Sequence, residues 1–500
     1  MRFLLLKLFG ARPYLQTSLL SGALLASVSL TGCGSVTSTG TGKNTSGTTS
    51  VTVLTTSTAN DQLSEFDMVL NSITLTSQSG STASLISAPI SAEFLHVNGV
   101  SEPLLSVTVP QGVYTSATAS VGSEAFKCVA FDPSNGGVTP HTFDYGYTPQ
   151  ANVTVSLPSP ITIAGNNALV QLNLQVSQSA SYNNQNCLTT SSNFSITPTF
   201  TLTLASDTNP MEVGLKGLIN ATPEPDGSFA VTAAEGGQDC AASGCGALEI
   251  GPVWQVAAGA DTVYQGIGGS AELVTGVAVD MDAVLQPDGS LLAKRIAVYD
   301  ANPNNLSATI GPVTAVFGVG PVLYGFPTED FGAQNDDMYP FNFSSATFQI
   351  SGQFGNLQTL PFPASFSATN MVPGQNIYAT THSLVLEPPP IDMPATTVTL
   401  IPQTINGTVT AIGSEGGFTT YTVTLAPYDL FPDLAVQLPG GQANLLTNPN
   451  TVIVYADINT QMLNTTPLAV GGVVRSYGLV FNDNGTLRMD CAQINDGVAE

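Results

Sequence analysis

Apolar and polar residues alternate with period two along much of the chain beyond residue 60. In VQLNLQV, Val170, Leu172, Leu174 and Val176 fall on one side and Gln171, Asn173 and Gln175 on the other. FSITPTFTLTL sets Phe194, Ile196, Phe200, Leu202 and Leu204 opposite Ser and Thr, and LSVTVP repeats the pattern over residues 105–110. Successive side chains of a strand point to opposite faces, so each run predicts a strand with one dry and one wet face. Val and Thr suit such half-buried pleated surfaces. After residue 32 no run has the spacing of an amphipathic helix. Short strands between Gly, Pro, Asn and Asp turns predict a β-sandwich over residues 60–205.

ASDTNPM (205–211) reads as a linker, after which the chain echoes itself. LVTGVAVDMDAVLQPDGSLLAKRIAV (273–298) parallels LAVGGVVRSYGLVFNDNGTLRMDCAQI (468–494), each with Gly leading into a strand, an Asp-Gly or Asn-Gly turn and a closing strand. LKGLINATPEPDGSFAV (215–231) parallels INGTVTAIGSEGGFTTYTV (405–423). A weaker copy starts at ATIGPVTAV (308–316) and includes MVPGQNIYATTHSLVL (371–386), with Pro388-Pro389-Pro390 expected to loop out. Such periodicity predicts three tandem modules, at 211–302, 306–402 and 403–497, each a small closed or half-closed barrel. The fold class is therefore all-β, an N-terminal β-sandwich followed by three tandem small β-barrel modules. Trp254, the only tryptophan, is expected to anchor the first barrel.

Two resemblances attach to these runs. FDMVLNSITLTSQSG (66–80) followed by LLSVTVPQGVYTSATASV (104–121), with Pro110, Gly112 and Tyr114 at the turn, resembles an uncharacterised domain family of bacterial lipoproteins. That likeness implies a small sandwich and supplies no catalytic residue. The later modules resemble an exported-domain family with a barrel of the oligonucleotide/oligosaccharide-binding type, and a fold of that kind does not fix a function.

The first 32 residues change the picture. Arg2, Lys7 and Arg12 precede a short apolar segment, Leu19 to Leu30, with no acidic residue before Cys33. This is the layout of a secretory signal. Leu30-Thr31-Gly32-Cys33 resembles the lipobox of bacterial lipoproteins. The resemblance implies cleavage before Cys33 and lipid attachment at Cys33, hence a membrane partner through that anchor and a cell-envelope location. Gly34 then implies the outer membrane in a Gram-negative host. Several acyl chains on one residue anchor firmly where one holds only marginally. Residues 33–59, dominated by Ser, Thr and Gly, are expected to be a flexible tether.

Charge and cysteine content narrow the function. With 10 basic against 35 acidic residues the formal net charge is −25. Phosphate neutralisation needs clustered Lys and Arg, so the composition excludes nucleic acid as a partner. In an oxidising envelope Cys128 could pair with Cys187, and Cys240 with Cys245 in CAASGC, leaving Cys491 over; spacing alone does not settle connectivity.

Candidate chemistry is sparse. His96, His141 and His382 are the only histidines, none with a companion at metal-ligand spacing. No phosphate loop, nucleophile elbow, zinc-protease or dinucleotide fingerprint is present. Acidic pairs remain. Asp280 and Asp282 share one face of a strand, read as a wet barrel face that could also hold Ca²⁺. In TEDFGAQNDDM, Asp330, Asp336 and Asp337 are candidate metal ligands in an acidic loop that needs counterions. Phe143, Tyr145 and Tyr147 would line one side of an extended TFDYGYTP, as a core stripe or a sugar-stacking row. These features predict no catalytic residue, no cofactor and no enzymatic activity. The expected role is a binding or scaffolding module of the envelope, with a protein or glycan partner. The alternative is a polysaccharide or cell-wall hydrolase using a carboxylate pair. A membrane-spanning barrel is disfavoured by the missing aromatic girdles.

Overall fold

A computed structural model describes residues 47–58, 63–131 except 95, 96 and 98, 140–147, 151–181, 195–205, 211–235, 249–286, 289–301, 306–318, 321–325, 339–382 except 356, 393–432 except 428, 445–463 and 468–497. Among these, strands dominate and the helical elements are single turns, as the period-two pattern requires. The chain is all-β, with barrel modules in tandem. Among the described residues no helix is long and apolar enough to cross a membrane.

The N-terminal strands are β1 (Thr48–Thr58), β2 (Leu63–Ser77), β3 (Thr82–Ile86), β4 (Ile90–Glu93), β5 (Glu102–Pro110), β6 (Gly112–Phe131), β7 (Pro140–Tyr147), β8 (Ala151–Ser156), β9 (Ile161–Ile163), β10 (Asn167–Gln175), β11 (Ala180–Ser181), β12 (Ser195–Ile196) and β13 (Phe200–Ala205). All but β11 and β12 belong to one sheet, ordered β3-β2-β6-β8-β13-β10-β1-β5 along its main path. Its end strands β3 and β5 pack against each other, so a single curled sheet encloses one apolar core. Val51, Phe66, Leu70, Val170, Leu172 and Phe200 lie in that core. Only β13 continues from the predicted FSITPTFTLTL strand. Pro198, which cannot donate to a ladder, falls in the break between β12 and β13.

Part of the expected tether is instead an interior strand of this sheet, next to its end strand β5. β1 runs between β10 and β5 and is almost wholly buried. Its Ser and Thr side chains bury without orphaned polar groups because their hydroxyls bond backbone carbonyls. Thr56 Oγ1 donates to Val100 O at 2.8 Å, and Thr55 Oγ1 to Glu102 O at 3.3 Å. A polar composition reads as tether only while those carbonyl partners are unknown.

The first barrel comprises β14 (Met211–Ala221), β15 (Ser228–Glu235), β16 (Glu249–Gln265), β17 (Ala278–Leu285) and β18 (Leu291–Val298), closed in the order β14-β15-β16-β18-β17. A short β19 (Asp300–Ala301) pairs forward with β20 (Leu306–Gly318), so the expected first module hands over a strand to the second. The second module continues with β21 (Pro321–Gly325), β22 (Tyr339–Asn342), β23 (Thr347–Ile350), β24 (Asn376–Thr381), β25 (Met393–Pro394) and β26 (Thr397–Leu400), and β25 and β26 are two halves of one interrupted fifth strand. The third holds β27 (Gln403–Glu415), β28 (Phe418–Leu425), β29 (Thr451–Ala456), β30 (Gln461–Leu463), β31 (Val473–Asp483) and β32 (Thr486–Asp496), and the β29–β32 pairing closes it. Numbering barrel strands one to five, every module traces the path 1-2-3-5-4 and back to 1. Trp254 is buried in the core of the first barrel, as expected from its solitary position.

Candidate functional site

Strand four of each barrel starts from the same local device. A glycine in the left-handed region, Gly276, Gly374 or Gly471, turns the chain into the strand. Its amide donates to Ile219, Val313 or Val409 of strand one, at 2.7–2.8 Å, and that residue's amide bonds the carbonyl just after the glycine. Strand alternation then assigns fixed roles. Met281, Ala379 and Val480 point into the barrel cores, whereas Asp280 and Asp282, Tyr378, and Arg475 and Tyr477 point outward. These outward polar side chains are nonetheless buried, because they meet between modules.

Asp280 and Asp282 do share a face, but the face is largely buried. Arg295 from β18 lies across both: its Nε donates to Asp282 Oδ2 at 2.7 Å and its Nη2 to Asp280 Oδ1. Arg295 Nη1 also donates to Gln265 Oε1 at 3.3 Å; Gln265 reaches Ser351, and Ser351 bonds Gln353. Gln353, from the second module, and Tyr477, from the third, both hydrogen-bond Asp282. Burial pushes the Asp282 carboxyl up, but the Arg295 charge and these bonds outweigh it and hold the carboxyl below its usual range. Burial, with Asp282 next to it, pushes the Tyr477 hydroxyl well above the ordinary tyrosine value. The guanidinium stands where a cation would bridge the two carboxylates, so the Ca²⁺ alternative for this pair has lost its ligands to Arg295.

Around this hub lies a cavity of about 180 Å³ with walls from all four modules. Glu102 comes from the N-terminal sheet, Lys216 and Arg295 from the first barrel, Asn376 from the second, and Gln403 and Tyr477 from the third. Lys294 and Glu212 form an ion pair on the first barrel. Burial pushes Glu212 up further than Lys294 pulls it down. Two more bonds fasten the modules: Tyr378 Oη to Val298 O at 2.8 Å, and Arg475 Nη1 to Ser57 O at 2.6 Å.

Of the predicted site residues, Cys33, Cys187, Cys240, Cys245, Asp330, Asp336 and Asp337 lie outside the described residues, as does His96. Cys128 is on β6 with its backbone paired to Leu63 and Phe143; its side chain is likewise outside them. Phe143, Tyr145 and Tyr147 alternate along β7, opposite Cys128, Phe126 and Glu124. His382 is an exposed residue at the end of β24. The hub residues Arg295, Tyr477, Gln265 and Gln353 were not anticipated. The signal that was present is a scarce basic residue within apolar strands, as in LLAKRIAV and GGVVRSYGLV, where a cation needs a buried counter-charge.

No family model matches the chain, and no curated protein is similar to it. The solved structures that align with it include the wild-type single-stranded DNA-binding protein from Thermus aquaticus, at 9% identity over 58% of this chain and 95% of that one, with a TM-score of 0.12. A deletion mutant of that protein aligns at 10% identity with the same coverage and TM-score. These neighbours are single-stranded DNA-binding proteins, so the exclusion of nucleic acid drawn from net charge is corrected and no longer stands as a conclusion. At that TM-score the likeness carries no argument about what this chain binds.

Proposed function

We propose that the chain is an exported, lipid-anchored scaffolding or binding protein without catalysis of its own, held to the cell-envelope membrane through Cys33. The observation that carries the non-enzymatic half is the state of Asp280 and Asp282. A hydrolytic pair needs one carboxyl kept protonated near neutral pH. Here Arg295 spans both carboxylates and Asp282 is held down, so the pair serves as a salt-bridged joint of three modules. The anchored half rests on Leu30-Thr31-Gly32-Cys33 and its flanks.

The experiment is metabolic labelling of the full chain and of Cys33→Ala with an alkyne fatty acid, followed by detergent phase partition. The full chain is expected to take up label and enter the detergent phase, and the variant to do neither. Equal labelling and partition of the two would overturn the anchor. Turnover of cell-wall glycan by the purified chain, abolished by Asp280→Asn, would overturn the non-enzymatic reading.

A further inference from the structure

Between β23 and β24 the second barrel sends out a strap, residues 351–370 except 356, with no strand or helix among its described residues. Its apolar side chains Phe354, Leu357, Leu360, Phe362 and Phe366 join one apolar cluster formed by the second barrel and the outer face of the third: Phe366 packs on Phe348 of the second barrel, and Phe362 reaches Tyr455 and Phe481 of the third. That face is built from alternate positions of three strands: Phe418 on β28, Ile453 and Tyr455 on β29, Leu479 and Phe481 on β31. Neighbouring positions point into the barrel core instead, among them Val452, Val454 and Val480.

Phe362 is the centre of the contact. It is 5% exposed and sits between Pro361 and Pro363. Its ring centroid lies 4.9 Å from that of Tyr455 and 5.7 Å from that of Phe481. Arg488 covers the pair, with Cζ 5.5 Å from the Phe362 centroid and 5.7 Å from that of Tyr455. The guanidinium is itself fixed by Asp483 at 2.8 Å and Glu415 at 3.5 Å, and Tyr455 Oη donates to Glu415 at 2.7 Å. Gly416 at the β27–β28 turn leaves room for Pro361, which a side chain there would strike. The receiving groups are thus positioned by the third barrel's own bonds, independently of the strap.

The strap, by contrast, is held by side chains. Among the described residues no backbone hydrogen bond ties Leu360–Phe366 to the third barrel. A Pro-aromatic-Pro segment seated by tilted ring contacts and a cation–π contact, with no ladder bonds, is how a short peptide ligand sits in a preformed aromatic groove. We propose that the outer face of the third barrel is a docking groove for a segment with an aromatic residue between prolines, and that Pro361-Phe362-Pro363 occupies it in cis as a displaceable strap. The groove involves neither Cys33 nor the acid pair, so it stands or falls apart from the function proposed above.

The test uses a fluorescent peptide spanning Thr359–Ser367, titrated by anisotropy into the full-length chain and into Phe362→Ala. The wild-type strap competes for the groove, so the variant is expected to bind at least ten times more tightly. Adding Tyr455→Ala to that variant is expected to remove the gain. A Phe362→Ala chain with native circular dichroism that binds no better than wild type would overturn the proposal. Should that variant not fold, Phe362→Leu carries the test, because it keeps an apolar anchor but loses the ring contacts. A gain of at least threefold supports the groove, and no gain by folded Phe362→Leu overturns it.

Discussion

Arg475 Nη1 on β31 donates to the carbonyl of Ser57 on β1 at 2.6 Å, joining positions 418 residues apart. Both groups are buried. Replacing Arg475 by Ala leaves the Ser57 carbonyl without that charged donor. The expected loss is about 1–3 kcal/mol of stability, read as a lower urea midpoint. Arg475→Lys is expected to recover only part of it, because an ammonium lacks the planar fork.

The Asp282–Arg295 contact sets a pH dependence. Asp282 has its folded-state pKa depressed, so its contribution is fully present above the unfolded carboxyl value of about 4 and is lost as pH falls through the lower folded value. Glu212 works the other way. Its raised pKa makes the protonated form the better tolerated one, so its contribution improves as pH falls. Asp282→Asn is expected to cost about 3 kcal/mol at neutral pH, the low end for a broken buried pair because Asp280 remains. The stability curves of the variant and the wild type, followed by chemical unfolding from pH 7 downward, are expected to converge in acid.

Gly217 and Gly407 occupy matching places on the first strands of the first and third barrels. A Cβ at Gly217 would press on the Thr232 carbonyl oxygen, and one at Gly407 on the Thr424 carbonyl oxygen, both backbone atoms of strand two. Neither can swing aside as a side chain would. Gly→Ala at either position is expected to cost about 3 kcal/mol or more through overpacking. Gly165→Ala, where φ is +75° with open space around it, is expected to cost about 1 kcal/mol from backbone strain alone. Thermal unfolding of the three variants ranks them.

Three tyrosines are held protonated far into alkali. Burial pushes Tyr455 up to about 12, aided by its bond to Glu415. Burial also raises Tyr378 and Tyr477, at the hub. Each favours the folded state below the ordinary tyrosine value of about 10 and withdraws that support as pH rises toward the folded value. Tyrosinate absorbance is therefore expected to rise in two stages, with these three ionising only as the chain unfolds. Tyr455→Phe and Tyr477→Phe are each expected to reduce the second stage.

Cys491 is fully enclosed in the third barrel, its Sγ within reach of the Tyr477 and Gln493 carbonyls. Burial drives its thiol pKa far above the usual value, and the thiolate is the reactive form. The native chain is expected to leave Cys491 unmodified by a disulfide reagent, and denaturant to expose it. Mass spectrometry of the tryptic digest distinguishes the two.

Local chemistry made much of the architecture readable. Alternation along VQLNLQV is alternation of faces on β10, with Val170, Leu172 and Leu174 in the core. The expected wet face is largely buried too: Gln171 and Gln175 are enclosed, and Gln171 Nε2 donates to Ser101 Oγ at 2.7 Å. The parallel between LVTGVAVDMD and LAVGGVVRSY marks two chains that turn through left-handed glycines into strand four. Turn chemistry and strand period act over a few residues, so composition at that scale is sufficient evidence.

What eluded such reading depends on partners far away in the chain. TTSVTVLTTST looks like tether until carbonyls from residues 94–102 appear beside its hydroxyls. Asp280 and Asp282 look wet until Arg295, Gln353 and Tyr477 close over them from three modules. A polar side chain carries the same local signature whether water or a distant donor satisfies it. Period and turns are properties of neighbours, whereas the satisfaction of a buried charge is a property of the packed whole.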